Sequence, residues 1–315
     1  MTSTASAPAK VILFGEHFVV YGVRALLCAI DKRITATSKT IDEKKIRIIS
    51  EIGSVEVPLG SPESDHRTAR FMRPFLYVTR RALKESGEKR GIEMKLESEI
   101  PPGMGLGSSS AACVAATASV TGLFGRKPAE EVLRRAIEAE RIIFEDASGA
   151  DSSVSALGGL VSYSKDRIEK MGSRNDLSLI IANSRQVHST REEVLKVREF
   201  KRKNEKLFSQ MCADESAIVE AALGALEKND LREIGLLMSK NQKLLEKIGV
   251  STPKLDALVG AASKTSYGSK ITGAGGGGCT ISLVDKTNTE QTLESLRKVG
   301  DCFVAKIDFE GLRYL

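Results

Sequence analysis

The chain has 315 residues, 41% of them hydrophobic and 28% charged, a balance that supports a packed core and excludes a disordered chain. Its 47 Lys and Arg against 41 Asp and Glu leave a formal charge of +6, which favours anionic partners such as a phosphorylated cofactor or an acidic metabolite. Aromatic residues are only 5%, Trp is absent, and Tyr and Phe do not interleave with basic residues, so the stacking platforms of single-strand binders are missing and no nucleic-acid partner is expected.

The five cysteines, Cys28, Cys113, Cys212, Cys279 and Cys302, are odd in number and contain no C-x-x-C pair. They indicate neither a disulfide framework nor a zinc site. Met1 to Ala7 lacks the pattern of a secretory signal, and no apolar run approaches the roughly 20 residues that cross a bilayer. A cytoplasmic protein with no membrane partner is expected, with two domains sharing a cleft at this length.

In chain order, Val11 to Phe14, Ile34 to Ser38, Ile46 to Ile49, Ile92 to Leu96 and Leu160 to Tyr163 read as short strands, while Arg70 to Glu85 and Ala111 to Phe124 have helical composition. The apolar run Leu177 to Ala182 reads as a strand, and the basic stretch after it suggests a domain boundary near Ser184, giving domains 1–184 and 185–315. Helices are then expected over Glu192 to Met211, Glu215 to Leu226, Leu231 to Lys247 and Pro253 to Ser263, with Asp230 and Thr252 as N-caps. Strands return at Lys270 to Thr272, Thr280 to Val284 and Phe303 to Ile307, so both halves are α+β.

The strongest local signal is Pro101-Pro102-Gly103-Met104-Gly105-Leu106-Gly107-Ser108-Ser109-Ser110, which leads into a helix of small residues. Glycines allow positive φ and close backbone approach, and a helix start presents unpaired N–H groups and a positive dipole end to an anion. The run therefore reads as a phosphate cradle. It lacks the G-K-[ST] ending of a P-loop. Ser109 could bind a metal or phosphate through its hydroxyl, with Ser108 and Ser110 competing to cap the helix. The plain alternative is a serine-capped turn.

Pro128 to Phe144 reads as a helix with an apolar stripe through Leu133, Ile137 and Phe144. Glu140 falls on that stripe, where a carboxylate must be paired, protonated or bound to a cation; a buried pair with an arginine of the same helix is the structural alternative. Asp151 follows in a Ser-Gly-Ala-Asp turn ahead of Gly158-Gly159. A kinase acting on an alcohol needs a carboxylate at the hydroxyl, a cation beside it and Mg²⁺ between phosphate oxygens. Asp151 could be that carboxylate and Lys10, at the head of the first strand, that cation. His66 and His188 have no partner motif and read as structural.

The segment SAPAKVILFGEHFVVYG, Ser6 to Gly22, resembles the opening motif of mevalonate kinases. With PPGMGLGSSSAA and the late run KITGAGGGGC it sets the three motifs of the galactokinase, homoserine kinase, mevalonate kinase and phosphomevalonate kinase superfamily in order. Further likeness runs through Asn183 to Arg191 and Leu237 to Asp256, so it spans nearly the whole chain. The resemblance implies an N-terminal domain with a left-handed βαβ unit, which sequence rules would not suggest, and a ferredoxin-like C-terminal domain. It implies ATP and Mg²⁺ as cofactors and phosphorylation of the mevalonate 5-hydroxyl in isoprenoid biosynthesis, with mevalonate 3-kinase or a silent ATP-binding regulator as alternatives. By the same likeness Lys10 and Asp151 form the catalytic pair, Ser109 and Glu140 hold Mg²⁺, and Pro101 to Ser110 wraps the phosphates. Glu16, His17 and Asp151 would bind mevalonate, and Gly273 to Gly278 would support the phosphate site. Two departures stand out: Phe144-Glu145-Asp146-Ala147 before Ser148-Gly149, which adds two acids to the turn, and Ala9 where glycine is common. A homodimer is left open.

Overall fold

The computed structural model describes residues 1–61, 69–101, 103–145, 147–165, 167–172, 177–187 and 189–315. Pro102, Asp146, His66 and His188 lie outside the described residues. Strands β1 (Thr2–Phe14), β2 (Ala25–Ile41), β3 (Lys45–Ser50) and β4 (Gly53–Pro58) precede α1 (Arg73–Ser86) and β5 (Gly91–Ser98). Helices α2 (Ser108–Gly122), α3 (Ala129–Glu140) and α4 (Ala150–Leu157) lead to β6 (Leu160–Ser164) and β7 (Arg167–Lys170). The second half runs β8 (Ser178–Asn183), α5 (Thr190–Lys203), α6 (Glu205–Glu227), α7 (Leu231–Lys247), α8 (Pro253–Ser263), β9 (Gly268–Thr272), β10 (Cys279–Val284), α9 (Thr289–Arg297), β11 (Asp301–Lys306) and β12 (Arg313–Tyr314).

Two sheets result. The larger has the order β12-β1-β2-β5-β3-β4, with β6 on β2 and β7 on β6. Its pairs are antiparallel except β3 with β5. The smaller, antiparallel sheet has the order β11-β8-β10-β9. Counted within the second half, that is strand four, one, three, two, the ferredoxin-like arrangement. The α+β class thus holds for both halves. The strand after Leu177 hydrogen-bonds on both sides within the second sheet, so we place the division ahead of Ser178 rather than after Ser184.

Two local outcomes differ from the sequence reading. The first strand begins at Thr2, and its small residues are buried from Ala5 as far as Val11 under α2, where small side chains rather than β-branched ones are needed. Pro8 is accommodated at a register shift between Pro8 and Ala9. The helix expected over Glu192 to Met211 breaks at Asn204, whose side-chain amide donates to the Phe200 carbonyl at 3.0 Å and competes with the helical ladder. The break lets Phe208 meet Phe200 and pack against Phe18 and Tyr21. Asp230 and Thr252 do cap α7 and α8, accepting from the amides of Glu233 and Leu255.

The C-terminal segment returns to the first sheet and is fastened by Arg33 of β2. Its guanidinium donates to Ser6 O at 3.0 Å, Ser6 Oγ at 3.1 Å, the Gly311 carbonyl and the Asp308 carboxylate. Asp308 is 2% exposed, so removing its main counter-charge strands a buried anion. Arg33→Ala is expected to lower stability by about 3 kcal/mol in urea unfolding, a loss that Arg33→Lys should restore only in part, since one ammonium cannot span four acceptors.

Candidate active site

Lys10 lies on β1, bound to the glycine-serine loop by backbone and stem. Its N–H donates to Leu106 O at 2.9 Å, and a Cβ at Gly107 would stand 2.8 Å from Lys10 Cγ, so glycine there permits the close approach. The ammonium then reaches Asp151 Oδ1 at 3.0 Å, the lysine side chain 5% exposed and the aspartate 38%. Asp151 is not in a turn, as its Ser-Gly context suggested, but in the first turn of α4 behind Gly149 at φ 81°. The positive end of the helix favours an anion at that place.

Gly103, Gly105 and Gly107 all take positive φ, while Met104 and Leu106 are buried and anchor the loop. Pro101, Gly103, Gly105 and Ser109 are left exposed. The cap of α2 is Gly107 and no serine hydroxyl caps the helix, because positive φ is required at that position. The first amides of α2 remain available to an anion.

Glu140 is the last residue of α3, which stops there instead of continuing to Phe144; its buried face runs through Val132, Ala136 and Ala139, and Phe144 is 53% exposed. Ser110 donates to Glu140 Oε1, and Ser152 donates to Oε2 at 2.9 Å. Burial pushes the Glu140 pKa up, and the charge of Asp151 adds to this, while the two hydroxyls and Lys10 pull it back. The same-helix arginine, Arg135, pairs with Glu85 and Glu131 instead. Among the described residues no ion pair involves Glu140, and none form a cluster of three or more His, Cys, Asp or Glu that could hold a metal. A buried carboxylate beside serine hydroxyls, with few further protein ligands, suits a hard cation that takes its remaining oxygens from phosphate and water, as Mg²⁺ does.

The opposite side of the cleft is the Gly273–Gly278 run between β9 and β10. Gly273, Gly275, Gly276 and Gly278 have positive φ, and a Cβ on Gly273 would lie 3.8 Å from Gly105 O, so the two glycine loops face one another. The turn after β1 is tied to that loop. His17 Nε2 lies 2.7 Å from the Ala274 carbonyl; a carbonyl only accepts, so Nε2 carries the proton. Burial lowers the His17 pKa, which leaves a neutral ring. Glu16 ion-pairs with Lys270, and both side chains are sealed from solvent. Glu16 therefore offers a ligand almost no surface, and the structure assigns it to the domain interface.

The sequence reading missed a cavity of about 220 Å³ beside the first turn of α2, lined by Ile34, Phe71, Phe75, Leu96, Ser108 and Ser109 among others. Its apolar residues come from β2, α1, α2, β5, the short turn Arg70–Met72 and the flanking Ile52 and Ile100, so no single motif marks it. A larger cleft of about 390 Å³ along Leu59, Arg80 and Leu83 shares no residue with either glycine loop.

Glu140→Gln is expected to raise the Mg²⁺ concentration for half-maximal activity while leaving the melting temperature equal or higher, since the variant removes a buried charge. Titrating activity against Mg²⁺ and recording a thermal melt on the same preparation checks both.

The family described as GHMP kinases N terminal domain matches residues 74–159, and GHMP kinases C terminal matches residues 222–302. Mevalonate kinase of Pyrococcus furiosus is 35% identical over 99% of this chain and 98% of its own length; that of Methanothermobacter thermautotrophicus is 35% identical over 89% and 90%. The crystal structure of the Methanococcus jannaschii mevalonate kinase aligns with a TM-score of 0.85 at 28% identity, covering 97% of this chain and 98% of that one. L. major mevalonate kinase, solved with R-mevalonate, has a TM-score of 0.83 at 23% identity, covering 96% and 95%, a likeness of fold. With a third of its residues shared end to end and both domain patterns in place, the chain belongs to the mevalonate kinase family of the GHMP kinases.

Proposed function

We propose that this chain transfers the terminal phosphoryl group of ATP to the 5-hydroxyl of mevalonate. The observation that carries the reading is the 3.0 Å pair of Lys10 with Asp151, set where Lys10 is also fastened to the phosphate loop. One carboxylate is thereby presented to an acceptor alcohol while its partner cation stands at the phosphates. The acceptor is drawn from the relatives, which are mevalonate kinases at up to 35% identity over full length.

The division of labour follows from charge. Asp151, the more exposed of the pair, takes the hydroxyl proton as the alcohol oxygen attacks the γ-phosphorus and ADP leaves. Lys10 offsets charge on the transferring group, in a site dry enough for that to matter. The free amides at the start of α2 hold the phosphates. Ser109 and Glu140 would hold Mg²⁺, which when bound neutralises phosphate charge. The apolar cavity beside Ser108 and Ser109 fits the base of the nucleotide, and Val20, exposed within the His17–Tyr21 turn, offers an apolar wall for the acceptor.

An assay of ADP release with mevalonate, phosphomevalonate, galactose and homoserine tests the reading, and NMR of the product identifies the hydroxyl. Mevalonate is expected to be the best acceptor by a wide margin. Asp151→Asn should keep nucleotide binding and lower kcat by about two to four orders of magnitude; near-normal turnover would exclude it as the base. Lys10→Met should lower kcat more than it raises KM for ATP, because its charge acts most strongly in the transition state. Ala112→Leu, which fills the cavity from α2, should raise KM for ATP about tenfold with KM for the acceptor little changed, a pattern steady-state kinetics would reveal.

A further inference from the structure

Between the two halves, behind the turn that follows β1, lies a cluster of charge that phosphoryl transfer does not itself use. Glu215, near the middle of α6, is 0% exposed. Its Oε1 accepts the Gly15 N–H at 2.8 Å and its Oε2 accepts from Asn241 Nδ2 of α7 at 2.6 Å. The next residue of the turn, Glu16, pairs with Lys270 of β9, whose ammonium also donates to the Ile271 carbonyl at 2.6 Å. Two carboxylates and one ammonium are thus buried together, with the ammonium paired to Glu16. Among the described residues, Glu16 Oε2 and Asn241 Oδ1 are buried without a hydrogen-bond partner.

We propose that Glu215 is a positioning residue: its negative charge, held against the Gly15 amide, sets the Gly15–His17 turn and through it the acceptor end of the cleft, at a cost in stability. The proposal rests on the reading of the cleft as an alcohol kinase site. Gly15 has φ 94°, and a Cβ there would stand 2.6 Å from Ala25 Cα, so the turn is pressed against β2 and cannot relax in that direction. Within three residues it reaches three elements of the second half, through Gly15 to α6, Glu16 to β9, and His17 to the carbonyl of Ala274. Earlier on the same strand, Lys10 holds the phosphate loop. Slack at Gly15 is therefore felt at both glycine loops.

The charge is not required to make the bonds. A glutamine at 215 could accept the Gly15 amide and, with the Asn241 amide turned over, donate to Asn241 Oδ1, the oxygen now without a partner. A buried charge kept where a neutral isostere could make the same two bonds is a mark of function. Burial, and then the neighbouring Glu16 charge, push the Glu215 pKa up to about 7, against the donors Asn241 and Gly15 and the charge of Lys270. The charged and titratable groups around it are Glu16 of the turn, Lys270 of β9 and Cys212 one turn back on α6, which feels Lys201 of α5; α7 brings uncharged Asn241 and Gln242.

Glu215→Gln tests this in the full chain with MgATP. Because the folded pKa is raised, the stability from a protonated Glu215 is present below its ordinary value of 4.5 and lost as pH rises to about 7. The variant should therefore melt higher than the wild type at pH 8, with the gap closing towards pH 4.5. Its kcat/KM for the acceptor should fall about tenfold while KM for ATP stays within about twofold. Wild-type kcat/KM for the acceptor should drop as pH falls through about 7, and the variant should lack that step. Equal or lower melting at pH 8, or an unchanged acceptor kcat/KM and pH profile, would overturn the proposal. The comparison is run on whichever of mevalonate, galactose and homoserine the wild type accepts, so an error in the acceptor appears in the wild type and an error about Glu215 appears in the variant.

Discussion

The cleft depends on how one lysine is held. An ammonium on a strand covered by helices is stable only with a counter-charge in reach, and Lys10 finds it in Asp151, carried on a helix more than a hundred residues later. That pairing requires α4 to start beside β1, which in turn needs Gly149 in the left-handed region ahead of it. It also requires the phosphate loop to lie flat on the lysine stem, which only a glycine at 107 permits. Local backbone choices at two glycines thus decide whether Asp151, Lys10 and the glycine-serine loop meet.

Buried acids around the cleft are accommodated in different ways, and the difference sorts them by task. Asp151 is paired with a cation yet remains partly open, as the proton acceptor proposed above must be. Glu140 is buried among serine hydroxyls with no ion pair among the described residues, in keeping with the Mg²⁺ role proposed for it. Glu16 is neutralised by Lys270 and belongs to the interface. Glu215 shares that lysine only at one remove and meets amide donors instead. Low dielectric makes each unpaired charge expensive, so the incompletely compensated ones are where function is to be sought.

The interface itself is polar for a reason of geometry. The first β1 turn must touch α6, β9 and the second glycine loop at once, and hydrogen bonds from Gly15, Glu16 and His17 fix direction in a way that apolar contact does not. The aromatic group of Phe18, Tyr21, Phe200 and Phe208 supplies the non-directional part of the same contact. The break at Asn204 brings Phe208 into it.

Element identity in the long helices, both helix caps at Asp230 and Thr252, the glycine-serine loop and the two-part α+β organisation were legible in the amino-acid sequence, because periodicity, cap chemistry and glycine conformations are local properties. Glu140 could be singled out as an inward carboxylate by its place on a helical stripe, although the stripe runs through Val132, Ala136 and Ala139 rather than Leu133, Ile137 and Phe144. The full length of β1 was not legible, since an Ala, Ser and Thr run becomes a strand only when α2 covers it. Nor was the helix under Asp151, the buried partner of Glu16, the apolar cavity beside Ser109, or the Glu215–Asn241 pair. The two pairs join residues 26 and 254 positions apart, and only the packing of the two sheets decides which side chains share a low-dielectric volume and which of them must find a partner there.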